Sequence, residues 1–143
     1  MTTPKQYQDT PIDVKLVLCG LWITTLFLFA YVDIFGFFRA DLIQGVLDGR
    51  VANTPFVIDQ AFLIATTGYI VPPILMVVLT LTLRPRVNRM VNIVASCLYL
   101  VSILASCIGE TWIYYILGSL AEAVLLAVVA RVAWRWPAVV SAA

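Results

Sequence analysis

Four long apolar runs, separated by short polar stretches, set the pattern of this chain. They occupy positions 16–38, 56–83, 90–109 and 112–134. A helix rises 1.5 Å per residue, so about 20 apolar residues cross the hydrocarbon layer of a bilayer. Each run is therefore predicted to be a membrane-spanning helix. The segment 1–13 is polar, carries Pro4 and Pro11, and is expected to be an unstructured tail. It does not read as the start of a cleaved leader, because the apolar run behind it is too long and lacks a small-residue cleavage site. After the first run, Leu42, Ile43, Val46 and Leu47 alternate with Asp41, Gln44 and Asp48 in a one-sided pattern. That pattern predicts a short helix lying in the membrane interface. Gly49 is placed to end it, and Asn53-Thr54-Pro55 reads as the turn before the second run.

Polar positions inside the runs carry the next layer of information. In the first, Cys19, Trp22, Leu26, Ala30, Asp33 and Phe37 recur at helical spacing and are expected to share a face. Asp33 lies near the far end of that span. The second run opens on Asp59 and Gln60 and carries Pro72-Pro73 near its middle. Proline removes a backbone donor and crowds the preceding turn, so a kink is expected, and the freed carbonyls need partners. Thr66, Thr67 and Gly68 are candidates one turn earlier. Positions 84–89, Arg-Pro-Arg-Val-Asn-Arg, read as a tight basic turn. In the third run Asn92, Ser96, Tyr99, Ser102 and Ser106 form a polar stripe, which should face other helices. Glu110-Thr111 is so short a connection that the third and fourth spans must be antiparallel neighbours. The fourth runs from Trp112 to Trp134, followed by Arg135-Trp136-Pro137 and a short apolar tail expected at the interface.

Glu122 sits at the middle of the fourth span. A charged residue at the bilayer centre costs about 2.5–3.5 kcal/mol on insertion scales. Each Leu, Ile, Phe or Val returns roughly 0.3–0.6 kcal/mol. The fourth span holds about ten of these, so it inserts even so. What Glu122 demands is a partner or a proton, since desolvation disfavours a bare charge. At its depth the best-placed partner is Tyr99, followed by Thr66, Thr67 and Thr25. Ser119, Ala123 and Ala127 run beside it as a small-residue stripe that admits a neighbouring helix. Two readings stand side by side. In one, Glu122 binds a cationic or hydrogen-bonding ligand, or carries a proton coupled to transport. In the other it is a hydrogen-bond fixture that sets helix register or joins subunits.

Composition and charge narrow the field. Of 143 residues 62% are hydrophobic and 12% charged, which is the composition of a membrane protein. There is no histidine, so the commonest metal ligand and neutral-pH proton carrier is missing. Cys19, Cys97 and Cys107 form no C-x-x-C pair, and are read as small apolar residues within helices. No metal site or cofactor is expected. Nor is an enzyme, since no nucleophile stands beside a base, and Asp33 and Glu122 are expected at different depths. Seven basic residues (Lys5, Lys15, Arg84, Arg86, Arg89, Arg131, Arg135) fall on one side of the four spans, and two (Arg39, Arg50) on the other. The positive-inside rule then places both termini in the cytoplasm.

Several segments together resemble a family of small bacterial membrane proteins of unknown function. The first is Lys15-Leu16-Val17-Leu18, then Gly20-Leu21-Trp22, then Asp33-Ile34-Phe35-Gly36-Phe37-Phe38, the most specific part. Leu81-Thr82-Leu83-Arg84-Pro85 with Val87-Asn88-Arg89 and Asn92 matches the middle of the pattern. Tyr115, Glu122 and Trp134-Arg135-Trp136-Pro137 match its end. The resemblance implies four spans and a bacterial source, and brings no activity, ligand or catalytic residue. In size and span count alone the chain is also similar to the small four-helix proteins of the DoxX type, a likeness of fold without functional content. The expectation is thus an all-α, up-down four-helix membrane bundle with a short interfacial helix in its first loop. Its candidate ligand or proton site is Glu122 with Tyr99, Asn92, Asp33 and Asp59. Its expected partners are the lipid bilayer and a second copy or another membrane protein, with no nucleic acid.

Overall fold

The computed structural model describes residues 10–52 and 54–137. The tail 1–9, Asn53 of the expected turn and the apolar tail 138–143 lie outside the described residues. Five helices follow in order: α1 Val14–Gly36, α2 Ala40–Leu47, α3 Gln60–Thr82, α4 Pro85–Ser106 and α5 Ile113–Trp134. The four long ones are each apolar and long enough to cross a membrane. Two begin on carboxylate caps, which accept backbone N–H groups that the first turn leaves without partners. Asp13 accepts from Lys15 N at 2.7 Å, and Asp59 from Phe62 N at 2.8 Å. The basic stretch 84–89 is not a turn. α4 starts at Pro85, because proline's fixed φ and missing donor suit the first helical position. Only residues 83–84 therefore connect α3 to α4. The short α2 forms as expected and ends at Gly49, whose φ of 69° is a conformation that side chains disfavour. The chain after it folds back through an isolated antiparallel bridge between Arg50 and Val57.

The long helices pack as a four-membered ring. α1 contacts both α3 and α5, and α5 contacts α4. The α3–α4 side is the loosely closed one. Buried positions recur at alternating steps of four and three residues. In α1 they are Leu18, Trp22, Thr25, Phe29, Val32 and Gly36. In α5 they include Ser119, Glu122, Leu126, Val129 and Ala133. This is the spacing of helices that wrap gently about one another. It corrects the expected face of α1: Trp22 belongs to it, but Asp33 lies one residue beyond the buried Val32, on the flank. Large residues set the register, and Trp22 and Phe29, packed against Tyr99, dominate it. α5 approaches α1 most closely at Gly118, where an added Cβ would collide with Val32 Cγ2. The outward positions, such as Phe27, Ile64, Leu98, Leu117 and Leu120, are apolar and exposed, as a lipid-facing surface requires.

The two ends of the ring are tied by charges. At one end, Lys15 Nζ donates to the carbonyls of Leu81 and Leu83, both at 3.0 Å. A cation there complements the negative end of the α3 dipole. At the other end Arg39 is buried and forms ion pairs with Asp41 at 2.7 Å and Glu110 at 3.1 Å. Its guanidinium also lies 4.6 Å over the Trp112 ring. The Asp41 hydrogen bond pushes the Arg39 pKa up against its burial, with Tyr114 and Glu110 adding to the rise. The hydrogen bond from Arg39 lowers Asp41 in return. Burial works against the charge of Glu110. The N–H groups of Trp112 and Thr111, together with Arg39, more than offset it and hold that carboxyl below its ordinary value. This latch joins the end of α1 to the α4–α5 turn.

Candidate functional site

A half-open cavity of about 540 Å³ is formed by all four long helices, and its α3 wall residues Leu63, Thr66 and Thr67 are exposed. Phe29, Val32 and Asp33 come from α1, and Leu63, Thr66, Thr67, Tyr69 and Ile70 from α3. Ser102, Ile103 and Ser106 come from α4, and Tyr115 and Glu122 from α5. Glu122 is 5% exposed, so it turns inward, as a carboxyl at mid-span must. Among the described residues nothing hydrogen-bonds to it, and its oxygens border the open space of the cavity. Asp33 lies at the rim, where a second cavity of about 340 Å³ beneath α2 also touches it. Gly118 of α5 lies level with Val32 of α1, so by helical rise Glu122 sits roughly 7–8 Å deeper than Asp33. The expected difference in depth therefore holds, yet one cavity reaches both carboxyls.

The hydroxyls lining this space, and Thr25 outside it, are engaged with helix backbones or with one another. Thr66 and Thr67 donate to Phe62 and Leu63 carbonyls at 2.9 and 2.8 Å, and Thr25 to Leu21 at 2.9 Å. Ser102 donates to the Tyr99 carbonyl and Ser106 to that of Ile103, both at 2.8 Å. Tyr115 donates to Ser106 Oγ at 3.1 Å.

Tyr99, the expected partner of Glu122, has a different task. Pro73 deprives the Tyr69 carbonyl of its helical donor, and the Tyr99 hydroxyl supplies the replacement across α3 and α4. Tyr69 returns the favour through its own hydroxyl, 2.7 Å from Ser102 Oγ. The two tyrosines thus form a reciprocal clamp over the loosely closed side of the ring. Thr66 and Thr67 take no part in satisfying the proline-freed carbonyl.

Asn92 and Asp59 also stand apart from Glu122. Asn92 is fully buried, accepts from Trp22 Nε1 at 2.7 Å and donates to Asn88 Oδ1 at 2.7 Å. Asn88 continues the chain to the Thr80 carbonyl at 2.6 Å. That network pins α1, α3 and α4 together near the Lys15 end. Asp59 caps α3 and is exposed. Of the five candidates, Glu122 and Asp33 share the cavity, while Tyr99, Asn92 and Asp59 serve the scaffold.

Sequence reasoning missed Tyr69 and Arg39. The signal for Tyr69 was present: counting four residues back from Pro73 identifies the orphaned carbonyl, and Tyr99 is the nearest donor on the polar stripe. Arg39 gave no such signal, since a loop arginine is ordinarily solvated.

On the far side of the tyrosine clamp lies a groove of about 500 Å³ between α3 and α4. Gly68, Pro72, Met90, Val94 and Leu98 line it, and among the described residues no charged one does. Tyr69 and Ser102 border both groove and cavity.

Fold and site together define a multi-pass, four-helix membrane protein with a half-open, carboxyl-lined cavity between its helices. The chain belongs to the family of unknown function DUF6326, whose model matches residues 9–141. No curated protein and no solved structure matches it.

Proposed function

We propose that this is a small transport or ligand-binding protein of the cell membrane, with Glu122 as the central binding group. The observation that carries the reading is a residue only 5% exposed whose carboxyl oxygens open onto a cavity and have no hydrogen-bond partner among the described residues. A fixture that merely joined helices would be saturated by protein donors. The Trp22–Asn92–Asn88–Thr80 network already fills that structural role elsewhere. Among the described residues no lysine or arginine lines the cavity, so a cationic or N–H-bearing ligand is the complementary occupant. We read the site as binding rather than catalytic, because Ser102 and Ser106 spend their protons on helix carbonyls. Both termini are assigned to the cytoplasm on the distribution of basic residues, seven to two.

Glu122→Gln tests this directly, since it keeps shape and hydrogen bonding while removing the charge. The probe is a series of radiolabelled organic ammonium ions, methylammonium to octylammonium, presented to the full-length protein in lipid nanodiscs. The variant should assemble and melt like the parent yet lose saturable binding at least tenfold. A variant that differs only in melting or assembly would favour an accessory membrane subunit instead.

A further inference from the structure

We infer that the ligand is an amphipathic monocation that reaches the site sideways from the bilayer, through the gap between α3 and α4. The inference rests on the binding role of Glu122 and adds the class of ligand and its path. Three observations meet here. The first is chemical polarity: the cavity offers Glu122 and Asp33 with no basic residue among the described residues, while the adjoining groove offers an apolar wall. A ligand that fills both carries a positive head and an apolar body. Each of the two spaces by itself falls within the size range of small-molecule sites.

The second observation is the weak seam. α3 and α4 are consecutive in the chain, joined by residues 83–84 alone, yet they touch least among neighbouring long helices. On the α3 side of the seam the residues before the prolines, Leu63 to Tyr69, are exposed. Met90, Val94 and Leu98 line the α4 side and are 63%, 52% and 66% exposed. In a bilayer the apolar positions around that opening face acyl chains.

The third is the partition. Tyr69 and Ser102 are the residues common to both spaces, and one hydroxyl contact of 2.7 Å joins them. Such a bond between membrane helices is worth only about 0.6 kcal/mol on average. Tyr69 is 43% exposed, so its ring has room to turn on the lipid side. That one side chain turns while the Tyr99 bond to the Tyr69 backbone carbonyl holds, which puts a head at Glu122 while the body stays in the groove. An inorganic cation would use only the inner half, and would want a denser set of oxygen ligands than two carboxyls at different depths.

The test compares octylammonium with methylammonium on the full-length protein in nanodiscs. It uses the parent, Glu122→Gln and Leu98→Trp, with Val94→Phe as a second groove variant should Leu98→Trp melt early. Both groove substitutions add apolar bulk at exposed positions away from the carboxyls. Octylammonium should bind at least tenfold tighter than methylammonium. Groove substitutions should weaken octylammonium about tenfold and leave methylammonium unchanged. Equal affinities for the two ions, indifferent to groove substitution but lost in Glu122→Gln, would overturn the lateral path while leaving the carboxyl site standing. Absence of saturable binding of either ion to the parent would overturn both.

Discussion

Asn92 shows how much a single buried amide holds. Its oxygen accepts from Trp22 and its nitrogen donates to Asn88, both without solvent access. Replacing it strands an indole N–H and an amide oxygen, and each unpaired buried polar group costs about 1–3 kcal/mol. Asn92→Ala is expected to lower stability by about 2 kcal/mol in detergent unfolding, while ammonium binding at Glu122 is retained. Loss of binding with unchanged stability would return Asn92 to the ligand site. At this scale the sequence was legible where physics permits one outcome. A mid-span carboxyl must turn from lipid, so Glu122 was placed correctly, and the α4 stripe had to face inward for the same reason. It was illegible where a side chain has several solutions. Tyr99 had both a carboxyl and an orphaned carbonyl within conceivable reach, and only the packing of α3 against α4 decides between them.

Among elements, the α1–α5 pair depends on the absence of a side chain at Gly118. A methyl there meets Val32, whose β-branched side chain cannot easily turn aside. Gly118→Ala is expected to cost about 1–3 kcal/mol, the usual penalty of overpacking. Val32→Ala in the same chain should recover most of that loss, and an uncorrelated double variant would show that the helices do not meet there. The existence and number of the spans followed directly from run length. Their register did not. The face of α1 drawn from the sequence gave Asp33 and Trp22 equal weight, but burial of the indole and of Phe29 decides the register, leaving Asp33 at the rim. Likewise the basic stretch before α4 looked like a turn because it is polar. A proline at the first helical position makes it helix, with Asn88 turned inward to Thr80.

The whole molecule is a ring clamped at both ends, and the Arg39 latch makes one clamp responsive to acid. Glu110 is held below its ordinary value of 4.5 in the folded protein. Its contribution is therefore complete above that pH and is lost as pH falls through the lower folded value. Parent protein should exceed Glu110→Gln in stability by about 2 kcal/mol near neutrality, with the two converging only below about pH 4.5. A constant difference across that range would show that the carboxylate is not ionised in the latch.

The ring leaves space between its helices because its α3–α4 side is spanned by tyrosine hydroxyls rather than packed shut, and Glu122 faces that space. The most direct check is an experimental density map of the protein in lipid nanodiscs, at a resolution that shows ordered water. Water or small-molecule density within hydrogen-bond distance of the Glu122 carboxyl is the expected result. A carboxyl packed dry against neighbouring side chains, or turned out among the acyl chains, would contradict it.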